Sequence, residues 1–292
     1  MLYLIIFLTV TILGSVSILG YFAYSLAKSF TKPNTHRQFR VYVDYYIENL
    51  PREDVVIQTK DGVNISGWLF KNKSDCAVIL VHGIRANKSI MNNLARFYFD
   101  KGFAVLSIDL RNHGESEKTT TTLGYKERFD VEAAAEFLKN KGYKNIIVHG
   151  ISMGAVASIL ARIENPDLIN VVIADSPYLS LEESSKFVFR RFPNFISIPL
   201  SSLAINIGEK FTGLNISMLN LKQKLDQIDG NIFFIFSEYD PFTKIEEIKA
   251  VLKDKKYWIV PNTWHGLAFK WYPEIYQQKS YEFICKKTTC CN

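Results

Sequence analysis

Apolar runs and amphipathic stretches alternate along most of this 292-residue chain. Mainly apolar runs, which are typical of strands buried on both faces, cover residues 76–81, 103–110, 145–148, 171–174, 231–236 and 257–260. Stretches with a helical period lie at residues 90–99, 127–141, 152–163, 244–252 and 271–284. Strands that alternate with helices predict an α/β fold, with a mostly parallel sheet covered by helices on both faces.

Another pair of strands is predicted before these runs. Two β-branched stretches, residues 54–60 and 63–70, flank Asp61 and Gly62. An Asp-Gly pair in that position is a strong hairpin signal, because Gly readily adopts positive φ. Together with the six apolar runs, this hairpin predicts an eight-stranded sheet.

The first segment of the chain is unusually apolar, since residues 2–27 contain no charged side chain. As a helix, these 26 positions would extend about 39 Å, enough to cross a hydrocarbon core about 30 Å thick with some tilt. They predict one membrane-spanning helix. The alternative is a cleaved signal peptide, because residues 25–27 resemble a small-x-small cleavage site, although no Lys or Arg precedes the run.

Flanking charges predict the orientation of this helix. Basic residues follow the segment and none precedes it, so the positive-inside tendency places the body of the protein on the cytoplasmic side. These residues are Lys28, Lys32, Arg37 and Arg40. Export after cleavage is the alternative; the Asn-x-Ser sequons that would then be accessible are interpreted as chance occurrences in an Asn-rich chain. They begin at Asn64, Asn72, Asn87 and Asn215.

The pattern divides the chain into four parts. Residues 1–30 are the membrane anchor and its flank, residues 31–51 a linker, residues 52–287 the α/β domain, and residues 288–292 a tail. The strand and helix alternation is interrupted at residues 178–225, which are rich in Phe, Ser, Ile and Leu. We interpret this stretch as an inserted lid and call it the lid segment.

Charge and cysteine content narrow the classes of function. The 35 basic and 29 acidic residues give a formal charge of +6, and the basic side chains are scattered, which argues against nucleic-acid binding. Cys76, Cys285, Cys290 and Cys291 suggest neither a disulfide framework nor a spaced metal site. We expect free thiols in a dispensable tail, with palmitoylation or redox sensing as alternatives.

The sequence Gly-Ile-Ser-Met-Gly at residues 150–154 places one serine between a predicted strand and a predicted helix. This is the context of a nucleophile elbow, a sharp turn in which flanking side chains larger than Gly would crowd the strand and the helix. The bare pattern would occur by chance in about one chain in ten of this length. Ser152 is therefore a credible nucleophile only if the chain supplies its partners.

Two later residues can be those partners. A serine hydroxyl needs a base, and the base needs an acid that orients it and stabilises its cation. In a parallel sheet such groups meet at the carboxyl ends of the strands, and Asp240 and His265 each follow a predicted strand. The order Ser152, Asp240, His265 is the nucleophile, acid and base order of one fold family.

Other side chains compete for these roles. Glu238 and Asp175 are alternative acids, and His149 lies in the elbow itself, too close in sequence to reach the serine freely. His36 lies in the linker, whereas His82 and His113 follow earlier strands. We expect His82 to orient its loop and not to transfer protons.

The oxyanion of the tetrahedral intermediate needs two hydrogen-bond donors. In an elbow, one donor is the backbone N–H of Met153, which directly follows the nucleophile at the start of a helix. The second should come from the loop after residues 82 and 83, with Ile84 as the expected donor and Arg85 as the alternative.

Together these motifs resemble a known family. They are Val-His-Gly at residues 81–83, Asp-Leu-Arg-Asn-His-Gly-Glu-Ser at residues 109–116, the elbow, Asp240 and His265. In this order they resemble the α/β-hydrolase fold superfamily, within it the membrane-anchored, serine-aminopeptidase-like esterase and lipase branch, over about residues 52 to 287. The resemblance implies a serine hydrolase that forms an acyl-enzyme and needs no cofactor or metal. It also implies that residues 109–116 are a structural loop beside the site; the lid segment aligns with no single subfamily.

The lid segment and the anchor suggest the substrate. An acyl chain gains about 0.8 kcal/mol per CH₂ on entering an apolar pocket, so a Phe-rich lid favours a lipid or acyl ester over a polar substrate, with small-molecule esters as an alternative. Peptides, amides, thioesters and acyl transfer to an alcohol would use the same residues. A catalytically silent binding protein is the other class, but it requires a missing triad member and none is missing. The oligomeric state stays open.

Overall fold

The computed structural model describes residues 1–33, 45–190 and 192–291. Residues 34–44 of the predicted linker, which include Arg37 and Arg40, lie outside these ranges. The chain begins with α1 (Leu2–Thr31), a 30-residue helix. Among the described residues, α1 is the one helix long and apolar enough to cross a membrane by length and composition.

The centre of the molecule is an eight-stranded sheet. Its strands are β1 (Arg52–Gln58), β2 (Asn64–Phe70), β3 (Cys76–Val81), β4 (Ala104–Ile108), β5 (Asn145–Ile151), β6 (Val171–Asp175), β7 (Ile232–Ser237) and β8 (Lys256–Val260). The spatial order is β1-β2-β4-β3-β5-β6-β7-β8, and only the pairs made by β2 are antiparallel. Gly62, at φ +85°, lies in the turn between β1 and β2. The predicted α/β architecture, with a mostly parallel eight-stranded sheet, is confirmed.

Helices cover both faces of this sheet. They are α2 (Asn92–Asp100), α3 (Glu127–Asn140), α4 (Met153–Glu164), α7 (Ile245–Val251), α8 (Ala268–Trp271) and α9 (Pro273–Lys287). Apolar side chains of α3, α4 and α7 pack in the core of one face, whereas those of α2, α8 and α9 pack in the core of the other. Because β3, β4, β6 and β7 are buried along their whole length and β5 is buried except at its two terminal residues, these strands read as mainly apolar runs and not as alternating ones.

The lid segment lies between β6 and β7. It contains α5 (Leu181–Val188), α6 (Asn194–Thr212) and the 3₁₀ helix Ile216–Leu219, and a second 3₁₀ helix, Leu221–Gln227, begins within it and ends two residues beyond it. An isolated bridge between Ser180 and Asn220 joins its two ends. Helix α1 covers part of its surface, because α1 packs against α6 through an apolar cluster formed by Ala23, Phe189, Leu200 and Ala204.

The cysteines contradict the sequence-based expectation of free thiols in a dispensable tail. Cys76, at the start of β3, is disulfide-bonded to Cys290, and Cys285 in α9 is bonded to Cys291. The first pair is separated by 214 residues, so spacing along the chain could not indicate it. The path of α9 beside the sheet brings the end of the described chain to β3, and residues 290 and 291 are thereby fastened to the domain.

Candidate active site

Ser152 occupies a tight turn between β5 and α4. Its backbone has φ +55° and ψ −117°, a region that non-glycine residues seldom adopt and that is found at nucleophile elbows. The turn depends on its glycines. A Cβ on Gly150 would lie 2.4 Å from the carbonyl oxygen of Gly154, and a Cβ on Gly154 would lie 2.5 Å from the oxygens of Val81 and His82. The crowding inferred from the motif is therefore present.

The structure brings Ser152, His265 and Asp240 into one hydrogen-bonded row. His265 Nε2 lies 2.8 Å from Ser152 Oγ, and His265 Nδ1 lies 2.7 Å from Asp240 Oδ2. The Asp240 side chain is inaccessible to solvent, whereas that of His265 is 23% exposed. The three side chains come from the ends of β5, β7 and β8, where a parallel sheet collects polar groups.

Both partners of the serine are held by further contacts. Asp240 Oδ1 accepts a hydrogen bond from the backbone N–H of Phe242 at 2.8 Å, and the Phe242 ring packs edge-on against His265 at 4.8 Å. The backbone N–H of Gly266 donates to Ser176 Oγ at 3.0 Å. The loop that carries the imidazole is thus fixed from two directions.

The alternative acids are engaged elsewhere. Glu238 Oε2 accepts a hydrogen bond from the backbone N–H of Asn262 at 2.7 Å. The carboxylate of Asp175 accepts from Ser176 Oγ at 2.8 Å and from Tyr276 Oη at 2.9 Å, and burial raises the pKa of Asp175 to about 6. Asp240 is the carboxylate that lies on His265 Nδ1.

The other described histidines are buried in structural positions. His149 lies between the hydroxyls of Tyr98 and Tyr276, at 2.8 and 2.7 Å, and burial lowers its pKa to about 3. His82 Nδ1 lies 2.7 Å from the oxygen of Gly83, while its Nε2 accepts from the backbone N–H of Leu110. Burial lowers the pKa of His82 to about 4, so this ring is neutral and holds its loop, as the sequence predicted. His36 lies outside the described residues.

The loop after β3 passes directly beside the serine. A Cβ on Gly83 would lie 3.3 Å from Ser152 Cβ, which places the following residue at the reacting centre. The backbone N–H of Arg85 is already donated to His113 Nε2 at 3.2 Å. The N–H of Arg85, the alternative oxyanion donor, is thus engaged elsewhere, and Ile84 lines the same cavity as Met153.

The loop at residues 109–116 is held by ion pairs whose side chains, except that of Glu115, are buried. Lys88 Nζ lies 2.6 Å from both Asp109 Oδ2 and Glu115 Oε2. Arg111 is paired with Asp130 at 2.8 Å. These are contacts within the scaffold, in agreement with the structural role that the family resemblance implied.

A cavity of about 400 Å³ opens onto Ser152 and His265. Its walls are mainly apolar and include Ile84, Leu123, Tyr178, Leu181, Phe189 and Phe242. Leu26, Ala27, Phe30 and Thr31 of α1 also line it, and sequence reasoning missed all four. A signal was available, because a helix of about 39 Å exceeds the thickness of a hydrocarbon core by several residues.

Known proteins resemble this chain in sequence and in fold. Uncharacterised protein YqkD of Bacillus subtilis is 26% identical over 250 residues, which is 81% of this chain and 80% of that protein. The Pyrococcus furiosus esterase Pf2001 is 26% identical and superimposes with a TM-score of 0.68, covering 86% of this chain and 99% of the esterase. YNL320W of Saccharomyces cerevisiae, described as an uncharacterised membrane protein, is 21% identical over 151 residues, or 50% of this chain and 52% of that protein.

The family model described as serine aminopeptidase, S33, matches residues 72–223, just over half of the chain. The match begins just before β3 and includes the elbow and most of the lid segment. Taken with the esterase-like fold, it shows that this chain belongs to the serine aminopeptidase S33 family of α/β-hydrolases.

Proposed function

We propose that this protein is a serine hydrolase that cleaves carboxylic esters with lipid-like acyl groups through an acyl-enzyme. The observation that carries the proposal is the row from Ser152 through His265 to Asp240, which faces an apolar cavity. The likeness to the Pyrococcus furiosus esterase supports an ester as the substrate class.

In this mechanism, Ser152 Oγ attacks the ester carbonyl carbon while His265 Nε2 takes the hydroxyl proton. Asp240 fixes the imidazole orientation and stabilises the imidazolium. The oxyanion accepts hydrogen bonds from the backbone N–H groups of Met153 and Ile84. His265 then protonates the departing alcohol, which leaves the acyl group on Ser152.

Deacylation repeats the sequence with water as the nucleophile. His265 removes a proton from water, the hydroxide oxygen attacks the acyl carbon, and the Ser152 oxygen recovers its proton as the carboxylic acid leaves. Every proton is carried by side chains of this chain, so the reaction requires no cofactor.

A fluorophosphonate probe tests the nucleophile directly. We expect the wild-type protein to be labelled and Ser152→Ala to remain unlabelled, because the probe phosphonylates an activated serine. A matched control is Ser185→Ala, since Ser185 also lines the cavity but donates to the oxygen of Glu182. Absence of labelling in folded wild-type protein would instead favour a silent binding protein.

Ester hydrolysis needs its own test. We expect p-nitrophenyl esters to be cleaved with kcat/KM rising from butyrate to laurate, because each added CH₂ gains about 0.8 kcal/mol in an apolar site. A preference for acetate would contradict the lipid-like substrate. Product analysis with a competing alcohol separates hydrolysis from acyl transfer.

We also propose that α1 anchors the domain in a membrane, with its apolar length as the support. Its orientation rests on two opposing arguments. The basic flank, of which Lys28 and Lys32 are described, favours a cytoplasmic domain, whereas two disulfides favour an oxidising compartment. The disulfides favour the non-cytoplasmic side more strongly, because reducing compartments remove such bonds, whereas flanking charge only biases the orientation.

Alkylation of the protein taken directly from cells decides the orientation. We expect a maleimide reagent to add no mass until a reductant is supplied, after which four adducts form on the four cysteines. Four adducts without reductant would show that all four cysteines are free thiols, and would favour a domain on the cytoplasmic side.

A further inference from the structure

Helix α1 is divided into two stretches by its environment. The described side chains from Leu2 to Ile18 are all exposed. Beyond them, partly or fully buried side chains recur on one helical face, at Leu19, Ala23, Leu26, Ala27, Phe30 and Thr31. This spacing is that of a helix packed against a neighbour. We call residues 2–18 the outer stretch and residues 19–31 the docked stretch.

The outer stretch is nearly long enough to cross a bilayer alone. Its 17 residues extend about 26 Å, and Tyr21 and Phe22, which are 73% and 41% exposed, add the next turn. A hydrocarbon core of about 30 Å is then filled before the docked stretch ends. Most of the docked stretch is therefore available to the hydrolase domain.

The docked stretch is attached to the lid segment by aromatic and apolar contacts. The Phe22 ring lies 6.2 Å from that of Phe189 and 6.3 Å from that of Phe192. Tyr24 lies 5.7 Å from Phe211 near the end of α6. The two helices therefore run side by side.

Polar contacts fasten the last turn of α1 to the catalytic edge. The Arg85 guanidinium donates to the carbonyl oxygen of Ser29 at 3.2 Å and lies over the ring of Phe30. The backbone N–H of Thr121 donates to the carbonyl oxygen of Thr31 at 2.8 Å. Since Arg85 belongs to the loop beside Ser152, the position of α1 is tied to that of the reacting centre.

Together, α1 and α6 form one wall of the cavity. Leu26, Ala27 and Phe30 line it from α1, and Ser201, Ala204 and Ile205 line it from α6. Phe195 and Ile198, at the start of α6, are 78% and 60% exposed, and residues 194–208 carry no charge. This exposed apolar surface lies beside the point where α1 leaves the domain, which is where a bilayer around the outer stretch would end.

We propose that the docked stretch is part of the acyl-binding site, and that the substrate is a long-chain ester held in the same bilayer as the outer stretch. The inference rests on the proposed esterase function and deepens it. The acyl chain passes along the wall formed by α1 and α6, so its carbonyl reaches Ser152 while the chain stays in apolar surroundings. Leu26, Ala27 and Phe30 then determine chain-length specificity.

The test uses the full-length protein in lipid nanodiscs, with p-nitrophenyl butyrate and laurate as substrates. In Ala27→Trp, the indole ring projects into the cavity and fills part of the acyl-binding space. In Phe30→Ala, the aromatic ring that contacts the acyl chain is removed. We expect each change to lower the laurate-to-butyrate ratio of kcat/KM by about tenfold or more, as misfit in an apolar subsite does. Val16→Trp is the matched control, because Val16 is 60% exposed in the outer stretch and its ratio should not change.

A second arm tests the bilayer. The double variant Phe195→Asp, Ile198→Asp places charges on the exposed start of α6, and we expect hydrolysis of nanodisc-embedded laurate to fall at least fivefold. The rate in detergent micelles should fall less than twofold, because the ester then does not enter the cavity from a bilayer.

The outcomes separate the two proposals. If wild-type protein hydrolyses neither ester and is not labelled at Ser152, the proposed function fails and this inference fails with it. If wild-type protein is active but Ala27→Trp and Phe30→Ala keep the wild-type ratio, only the role of α1 is overturned. An unchanged nanodisc rate in the double aspartate variant would overturn the bilayer as the source of substrate.

Discussion

The two sides of the cavity are built on different physical principles. On the catalytic side, Ser152, His265 and Asp240 are fixed by hydrogen bonds of 2.7 and 2.8 Å at the ends of buried strands. On the opposite side, α1 and the lid segment meet through apolar and aromatic contacts, with ring centroids about 6 Å apart. Directional bonds at the ends of buried strands hold the side chains of the candidate site, whereas adaptable apolar packing forms the opposite wall of the cavity.

This difference predicts that substitutions on the catalytic side abolish turnover without changing the fold. Ser152→Ala should lower kcat by roughly 10³- to 10⁶-fold, because no other group can form the acyl-enzyme. Steady-state kinetics with p-nitrophenyl butyrate measures the loss, and a thermal melt within a degree or two of wild type, about the shift of a neutral surface change, establishes that the fold is intact. A residual rate above a tenth of wild type would mean that another nucleophile operates.

Asp240→Asn should have the next largest effect. The amide can keep the geometry but cannot stabilise the imidazolium, and we expect kcat to fall by about 10⁴-fold. Glu238→Gln is the matched control, because Glu238 accepts from Asn262 and does not contact His265. If both substitutions gave the same small loss, Asp240 would not be the acid.

Alanine substitution of one glycine on each side of the cavity compares how tightly the two sides are packed. A Cβ on Gly154 would lie 2.5 Å from the backbone of Val81 and His82, whereas a Cβ on Gly208 in α6 meets Thr31 only at 3.9 Å. We expect Gly154→Ala to lower the free energy of unfolding by about 1–3 kcal/mol through overpacking, and Gly208→Ala to raise it slightly through helix propensity. Urea denaturation of both variants gives the comparison, and equal effects would contradict the contrast in rigidity.

The smallest expected effect is a pH dependence of the free energy of unfolding that arises from Asp61, in the turn between β1 and β2. Hydrogen bonding to Arg111 lowers the pKa of Asp61 to about 2 from a usual 3.8. Because the folded-state pKa is depressed, the stabilisation is complete above about pH 4 and is lost as pH falls from about 4 to 2. It should amount to about 1–2 kcal/mol, discounted because the Asp61 side chain is 32% exposed.

Acid unfolding of Asp61→Asn tests this contribution. We expect the variant to be less stable than wild type at pH 6 and equally stable near pH 2. Asp54→Asn is the control, because Asp54 is 68% exposed and should leave the whole profile unchanged. A difference between Asp61→Asn and wild type that stayed constant down to pH 2 would show that the ion pair with Arg111 is not its source.

Features that depend on contacts between residues close in sequence could be predicted, whereas features that depend on distant residues could not. The fold class and the strand positions could be predicted, because burial on both faces leaves a mainly apolar run for each central parallel strand. The residues of the candidate site were also readable, since Ser152, Asp240 and His265 each follow a strand and must therefore share one sheet edge. Their catalytic roles remain predictions until the variants are measured.

The features that the sequence did not predict depend on contacts between residues far apart in the chain. The pairing of Cys76 with Cys290 spans 214 residues and depends on where α9 ends. The hydrogen bond from the Arg85 N–H to His113 joins residues 28 positions apart, and the sequence held no sign of it. The length of the apolar segment indicated that its end leaves the bilayer, but composition could not show that Leu26 and Phe30 line the cavity, because an apolar residue suits a bilayer and a protein interior equally well.

By itself, then, the sequence determined which segments become strands, which residues stand at their carboxyl ends and where a long apolar helix occurs. These properties follow from local pattern, since the period of burial and the turn-forming residues act over a few positions. Tertiary structure alone decided that the last turns of α1 face Ser152 and that the cysteines pair. Those outcomes depend on how distant surfaces pack, and many surfaces of similar apolarity compete until the chain is folded.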